Sequence, residues 1–332
     1  MAEGEIKRHR NRSTPLEGYA YFSAEKLLSL APSRSGHPSR DVLRFRQIVW
    51  RHYRKFGRHD LPWRPPSLKL RKGKKSDILY KILVSEVMLQ QTQVERVIPF
   101  YTKFIEKFPT AKKLAVAPLS EVLRIWQGLG YNRRAKLLRE AATRFPRFDL
   151  KSEFSRSNLK NSNLVAELEK LPGVGPYTAR AVAVFAYNQD VIVIETNIRT
   201  AVIHHFFPKK RKVSDKEIEK ILIAAHSRGR AYEWYSALMD YGAYLKKSGI
   251  KLNTKHANYT KQKKFAGSNR EARGAILRAL ASQGDSSQRS VTLRNLLNLL
   301  GSSRRTQLRT ALVALESEGL IKKSGNRFSL AD

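Results

Sequence analysis

The chain has 332 residues, 41% of them apolar and 9% aromatic, enough to bury a substantial core in one large domain or two unequal ones. Against 64 Lys and Arg stand 28 Asp and Glu, a formal charge of +36 that excludes an acidic solvating protein and makes a polyanion the expected partner. With no cysteine, disulfides, zinc–cysteine modules and iron–sulfur clusters are excluded, and no metal or other cofactor is expected.

Residues 1–40 read as a basic disordered tail, in which Lys7, Arg8, Arg10 and Arg12 precede the Ser/Pro-rich stretch APSRSGHPSR. The opening MAEGEIKRHR has no apolar stretch behind its basic residues, so no secretory leader is expected. No run approaches the roughly 20 apolar residues that span a bilayer, so a cytoplasmic, nucleoid-associated protein without membrane contact is the expectation. From Asp41 the pattern turns helical, with Val42, Phe45, Val49 and Tyr53 at three- and four-residue spacing. LPWRPPS and a basic loop at 69–75 interrupt it. Between 77 and 145 the sequence predicts four short helices, DILYKILVSEVMLQQ, VERVIPFYTKFIEKF, LSEVLRIWQGL and RRAKLLREAATRF, separated by Pro109, Pro118 and the Gly128-Leu-Gly130 turn.

A polar stretch near 152–163 leads into LVAELEKLPGVGPYTARAVAVFAY, two apolar helices around a glycine turn. VIVI at 191–194 reads as a very short strand, and further helices are expected from Thr196, over 217–225 and over 232–245. The body, residues 41–254, is therefore all-α, and 255–266 is a basic linker. In 267–332 the pattern restarts with GAILRALA, VTLRNLLNLL and TQLRTALVALESEG, the last with Leu308, Leu312 and Leu315 on one face. LIKKSGNRFSL then reads as a β-hairpin, and three helices closed by a hairpin predict a small winged-helix-like domain.

Glu86 is the most informative single residue. It lies among Ile82, Leu83, Val87 and Leu89, where a carboxylate costs free energy unless it is paired, hydrogen-bonded or protonated. Burial would raise its pKa into the range of a general acid, whereas a partly exposed glutamate paired with Lys81 would fit the same pattern. Glu195 opens the helix TNIRTAVIHHFF, where the helix N-terminus favours a carboxylate; a second acid beside a cleft would sit equally well there. In Leu171-Pro-Gly-Val-Gly175, the turn Gly173, Val174 and Gly175 opens an apolar helix and can hold a phosphate oxygen through backbone N–H groups. It is not a dinucleotide fingerprint, since the third glycine and a strong preceding strand are missing. Gly128-Leu-Gly130-Tyr131 places an aromatic at a turn tip with Arg133, Arg134 and Lys136 behind it, suited to wedging into a base stack or to capping a helix. Basic clusters at 69–75, 209–212 and 255–264 together give a nucleic-acid footprint. The histidines, including adjacent His204 and His205, form no metal pattern.

SEVMLQQTQVERVIPFY, IWQGLGY, LPGVGPYTARAV and ALMDYGAYL resemble the adenine DNA glycosylase branch of the helix-hairpin-helix base-excision enzymes, over about 60–245. The resemblance implies a helix-hairpin-helix glycosylase fold, and an enzyme that flips a base out of duplex DNA and cleaves its N-glycosidic bond. Its expected substrate is adenine mispaired with guanine or 8-oxoguanine, its partner is duplex DNA with mismatched or oxidised pairs, and a monomer is expected. Residue by residue, it implies that Glu86 protonates the adenine ring, that Glu195 is the second carboxylate and that Asn197 is its neighbouring asparagine. Tyr177 falls where bifunctional relatives carry a Schiff-base lysine, which implies a monofunctional enzyme. Gln91 and Tyr131 correspond to residues that enter the base stack, and Leu61, Trp63 and Arg64, in DLPWR, to the segment lining the base pocket.

Three departures accompany it. Glu195-Thr196-Asn197 stands where the family usually has Asp-Gly-Asn, moving the carboxylate by one methylene, and a misplacement near 1 Å can cost on the order of a hundredfold. The usual four-cysteine cluster motif is gone, with Lys246 at the place of its first cysteine. The small basic unit at 267–332 replaces the usual nucleotide-hydrolase-like C-terminal domain, which senses 8-oxoguanine. A related glycosylase with another target base, and a catalytically inactive DNA-binding protein on the same scaffold, are the alternatives. Independently of the resemblance, cleaving a purine nucleoside needs a proton on the leaving base and a negative group near an oxocarbenium-like sugar, which is the two-carboxylate logic of glycoside hydrolysis.

Overall fold

The computed structural model describes residues 38–64, 75–145, 161–257, 259–261, 264–282 and 290–332. The expected tail up to residue 37 and the basic loop up to residue 74 lie outside the described residues. The body is helical throughout: α1 (Arg40–Phe56), α2 (Lys75–Leu89), α3 (Val94–Lys107), α4 (Ala111–Val116), α5 (Leu119–Trp126), α6 (Arg133–Arg144), α7 (Asn161–Glu169), α8 (Pro176–Tyr187), α9 (Thr196–Phe206), α10 (Asp215–Ala225) and α11 (Ala231–Lys247). In α1 the predicted stripe of Val42, Phe45, Val49 and Tyr53 is buried, and Ser39 caps the helix by accepting from Val42 N–H.

The region predicted to hold four helices between 77 and 145 holds five. The additional one, α4, is only six residues long, too short to show a period, and is set by Thr110, whose side chain accepts from Lys113 N–H. The predicted strand VIVI is extended but pairs with no strand among the described residues. Val193 is 1% exposed there and is held by packing, so the run serves as an apolar lead into α9.

Two helices organise the body. The second half of α2 is apolar on nearly every side, with Ile82, Leu83, Val84, Val87 and Met88 buried, and it packs against α3, α6 and α8. α11 packs against α9, α1 and α8. Asp240 of α11 ties this half to the segment after α1, accepting from Arg58 N–H at 2.8 Å and pairing with Arg64 Nη1 at 2.7 Å. Burial pushes the Asp240 carboxyl up, but Arg64 and Arg58 overcome it and hold it below its usual range.

The chain remains bound to the body through Ala257: Val213 N–H donates to Lys255 O, Ala257 N–H donates to Val213 O, and His256 Nε2 lies 3.1 Å from Asp215 Oδ1. The C-terminal unit follows as α12 (Asn269–Ala281), β1 (Val291–Thr292), α13 (Leu293–Leu300), α14 (Arg305–Ser317), β2 (Ile321–Ser324) and β3 (Arg327–Leu330). The predicted hairpin pairs Ile321 with Leu330 and Ser324 with Arg327. The two-residue strand β1 adds to it through Val291–Phe328, giving an antiparallel sheet in the order β1-β3-β2. Leu308, Leu312 and Leu315 of α14 are buried as predicted. This helix-and-hairpin unit rests on α5 of the body, and Lys136 Nζ donates to Glu318 O at 2.6 Å.

Candidate active site

Glu86 projects from the apolar half of α2 and is 6% exposed. Its partner is not Lys81 but Tyr177, at the N-terminal turn of α8, whose hydroxyl donates to Oε2 at 3.4 Å. Burial pushes the Glu86 carboxyl up to about 7; the negative charge of Glu195 adds to this, while the Tyr177 hydrogen bond and the Arg64 guanidinium oppose it. Near neutral pH this group therefore holds a proton a substantial part of the time. Tyr177 is 37% exposed, so the pair stands at the surface end of a buried wall. Burial, together with the charges of Glu86 and Glu195, raises the tyrosine's own pKa well above its ordinary value, which keeps it a neutral donor.

Glu195 is the N-cap of α9. Its Oε1 accepts from the backbone N–H of Asn197 at 2.7 Å and of Ile198 at 2.8 Å, two of the donors a helix start leaves without intrahelical partners. Burial raises this carboxyl too, but here the two N–H donors, Lys246 and Arg199 all favour the charged form. Asn197 follows two positions on, and its Oδ1 accepts from Lys246 Nζ at 2.7 Å. The structure thus brings together Glu86, Tyr177, Glu195 and Asn197 from three segments, with the two carboxyls close enough for one to raise the pKa of the other.

Two residues here escape a reading of the sequence. Lys246 reaches Asn197 across 49 positions. Gly242, one turn before it, lies so close to α9 that a Cβ would come within 2.0 Å of Asn197 O. A glycine inside a helix, which costs about 0.5–1 kcal/mol relative to alanine, was the available signal of that close approach.

The glycine turn stands next to this group. Gly173 has φ +76°, and a Cβ there would approach Leu137 Cβ to 2.9 Å, so two demands select glycine. Gly173 and Gly175 are exposed at the start of α8. Val174 lies beneath them at 6% exposure with its N–H donating to Leu171 O, so it contributes packing and the two glycines face solvent.

Gln91 and Tyr131 sit on a separate rim. Both are left-handed, with φ of +56° and +48°, a conformation that costs side-chain-bearing residues about 1–3 kcal/mol and persists only where the surroundings hold it. What holds it is Arg134. One of the three cations behind the tip in the sequence, it is only 8% exposed, and its Nη1 donates to the carbonyls of Val87, Met88 and Gln90 at 2.6–3.0 Å. Its Nη2 donates to Gly130 O at 2.9 Å, so one guanidinium satisfies the open C-terminus of α2 and fixes both turns. Gln90 Nε2 also donates to Thr178 Oγ1 at 3.2 Å, linking this rim to the glycine turn. Gln91 and Tyr131 line a cleft of about 820 Å³ together with Phe265, Arg270, Arg273 and Arg278 of the C-terminal part, and Arg270 Nη1 lies 2.9 Å from the Tyr131 hydroxyl.

Leu61, Trp63 and Arg64 are all buried. Trp63 packs edge-on against Tyr101 with ring centroids 5.3 Å apart. Arg64 is the ion-pair partner of Asp240, and its charge favours the ionised form of Glu86.

A four-cysteine cluster does not fit this chain, since no thiolate exists to ligate iron. Among the described residues no group of three His, Asp or Glu side chains is placed to hold a metal ion, and no helix is long and apolar enough to cross a membrane.

Comparison with known proteins agrees with this geometry. Residues 84–225, which contain both acids, Tyr177 and the glycine turn, match the family model described as HhH-GPD superfamily base excision DNA repair protein. The chain is 34% identical to an adenine DNA glycosylase of Mycolicibacterium smegmatis over 294 residues, covering 82% of this chain and 92% of that one. It is 38% identical over 181 residues to an adenine DNA glycosylase of Buchnera aphidicola subsp. Baizongia pistaciae, covering 54% of this chain and about half, 46%, of that relative's length. A solved thermostable thymine-DNA glycosylase is similar at a TM-score of 0.48 and 23% identity, over 61% of this chain and 86% of that one. A likeness that runs almost the full length of the mycobacterial protein, and takes in every residue of the acid pair, decides the assignment: the chain belongs to the adenine DNA glycosylase family of helix-hairpin-helix base-excision proteins.

Proposed function

We propose that the protein is a monofunctional adenine DNA glycosylase that hydrolyses the N-glycosidic bond of adenine mispaired with guanine or 8-oxoguanine in duplex DNA. The observation that carries the reading is the pair of acids around Tyr177: Glu86 buried and proton-bearing near pH 7, Glu195 held by two backbone N–H groups with the charges of Lys246 and Arg199 favouring its ionised form. With adenine extruded along the Glu86 wall beside Leu61, Trp63 and Arg64, Glu86 gives its proton to the leaving base. The C1′–N9 electron pair departs with the base, and positive charge develops on the sugar. Ionised Glu195 stabilises that charge. Water then adds at C1′, its proton is accepted by the Glu86 carboxylate, and the acid is restored. Tyr177 offers a hydroxyl where a lyase needs an amine, so the product is an intact strand carrying an abasic site.

Gly173 and Gly175, at the open N-terminus of α8, suit a phosphate of the same strand. Gln91 and Tyr131 suit the gap in the base stack, and the +36 charge supplies sequence-independent affinity. The test is single-turnover cleavage of duplexes pairing adenine with guanine or 8-oxoguanine, with thymine mispairs and damaged bases alongside. Adenine release with strand breaks only after alkali is the expected result. No abasic product after long incubation, or breaks without alkali, would overturn the reading.

A further inference from the structure

The turn that carries Glu195 and Asn197 is gripped from the side by α11. Gly242 and Lys246 are four residues apart on that helix and therefore share a face. Gly242 lets the helix backbone come up against Asn197 O, and Lys246, half-buried in the last turn, sends Nζ to Asn197 Oδ1 at 2.7 Å. A lysine ammonium can only donate, so the amide oxygen of Asn197 must face Lys246 and its N–H2 must face the opposite way. We propose that Lys246 is a positioning residue for base excision: it fixes the orientation of the Asn197 amide and keeps a positive charge behind the Glu195 carboxylate.

The charged and titratable groups around Glu195 come from four elements. Arg199 lies on α9 itself and Lys246 on α11; Tyr177 of α8 and Glu86 of α2 lie on the other side. Arg199 is already committed to Asp215, at 2.8 and 2.9 Å, so Lys246 is the cation whose hydrogen bond goes to the turn itself. Burial lowers the Lys246 pKa and Glu195 raises it again, as expected of two groups that hold each other charged.

The inference rests on the glycosylase reading, and the experiment separates the two. Wild type, Glu86→Gln, Lys246→Met and Lys246→Arg are compared in single-turnover adenine excision across pH, with duplex affinity and thermal melting measured on the same full-length proteins. Loss of the cation and donor in Lys246→Met should slow excision about 10- to 100-fold. Duplex affinity should stay within about twofold, because phosphate contacts set it. The acid limb of the profile should move to higher pH, because Glu195 loses a charge that favours its ionised form. Lys246→Arg should restore the acid limb and part of the rate, since it keeps the charge but not the point geometry. Should Lys246→Met fail to fold, Lys246→Gln, which removes the charge and keeps a donor, carries the same acid-limb expectation. An unchanged rate and profile in the methionine variant overturns the inference while wild-type excision leaves the glycosylase reading standing. A rate loss with an unmoved acid limb and no recovery in Lys246→Arg overturns it as well, leaving a packing role only. A wild type that releases no adenine sinks the glycosylase reading first.

Discussion

Glu86 and Glu195 are the same residue type in opposite surroundings. Glu86 hangs from a helix that is apolar almost all round, with one long hydrogen bond to a tyrosine. Glu195 sits at a helix start, with two short backbone hydrogen bonds and two cations. Both carboxyls are displaced upward by burial, so burial alone does not divide the work between them. What divides it is the number of groups that prefer the charged form, few around Glu86 and many around Glu195. A single fold can therefore oppose the ionisation of two neighbouring glutamates to different extents.

The strongest way to break this comparison is Glu86→Gln. It preserves shape and removes the proton, and should reduce single-turnover excision on the order of 10³-fold with duplex affinity within a few fold. Excision at the wild-type rate would remove Glu86 from the chemistry. Glu195→Gln comes next, with a loss of about 10²-fold expected from deleting a preorganised charge at the developing cation. Undiminished excision would show that the extra methylene leaves this carboxylate out of reach. The pH profile sharpens the contrast. Glu86 must be protonated, so kcat/KM should fall as pH rises through about 7, and Glu195 must be ionised, so it should fall again on the acid side. A flat profile between pH 6 and 9, roughly one unit below to two above that pKa, would contradict the assignment of the acid. Tyr177→Phe is the smallest effect. It removes a hydrogen bond that favours the Glu86 carboxylate, so the alkaline limb should move up by about half a pH unit. Movement downward would mean that the hydroxyl serves the protonated form instead.

Much of this was legible in the sequence because it was local. A carboxylate among Ile82, Leu83, Val87 and Leu89 has few explanations, and Glu195 ahead of TNIRTAV carries the mark of a helix start. The glycine turn shows its own need for a left-handed residue. What was not legible depended on contacts between distant segments. VIVI has the composition of a strand, but a strand exists only where a second one runs beside it. Nothing local distinguishes Arg134 from Arg133 and Lys136 beside it; what does is the end of α2, 44 to 47 residues away. Lys246, one position beyond buried Leu245, carries no local sign of its reach to Asn197. The short helix α4 and the two-residue strand β1 are too brief to show any period.

Arg134 also sets a mechanical constraint. Because one planar group rivets Val87, Met88 and Gln90 to Gly130, the two projecting fingers beside it cannot be adjusted separately. Their spacing is a gauge set by that one group. A lysine, with a single point of attachment, would leave that gauge free to drift.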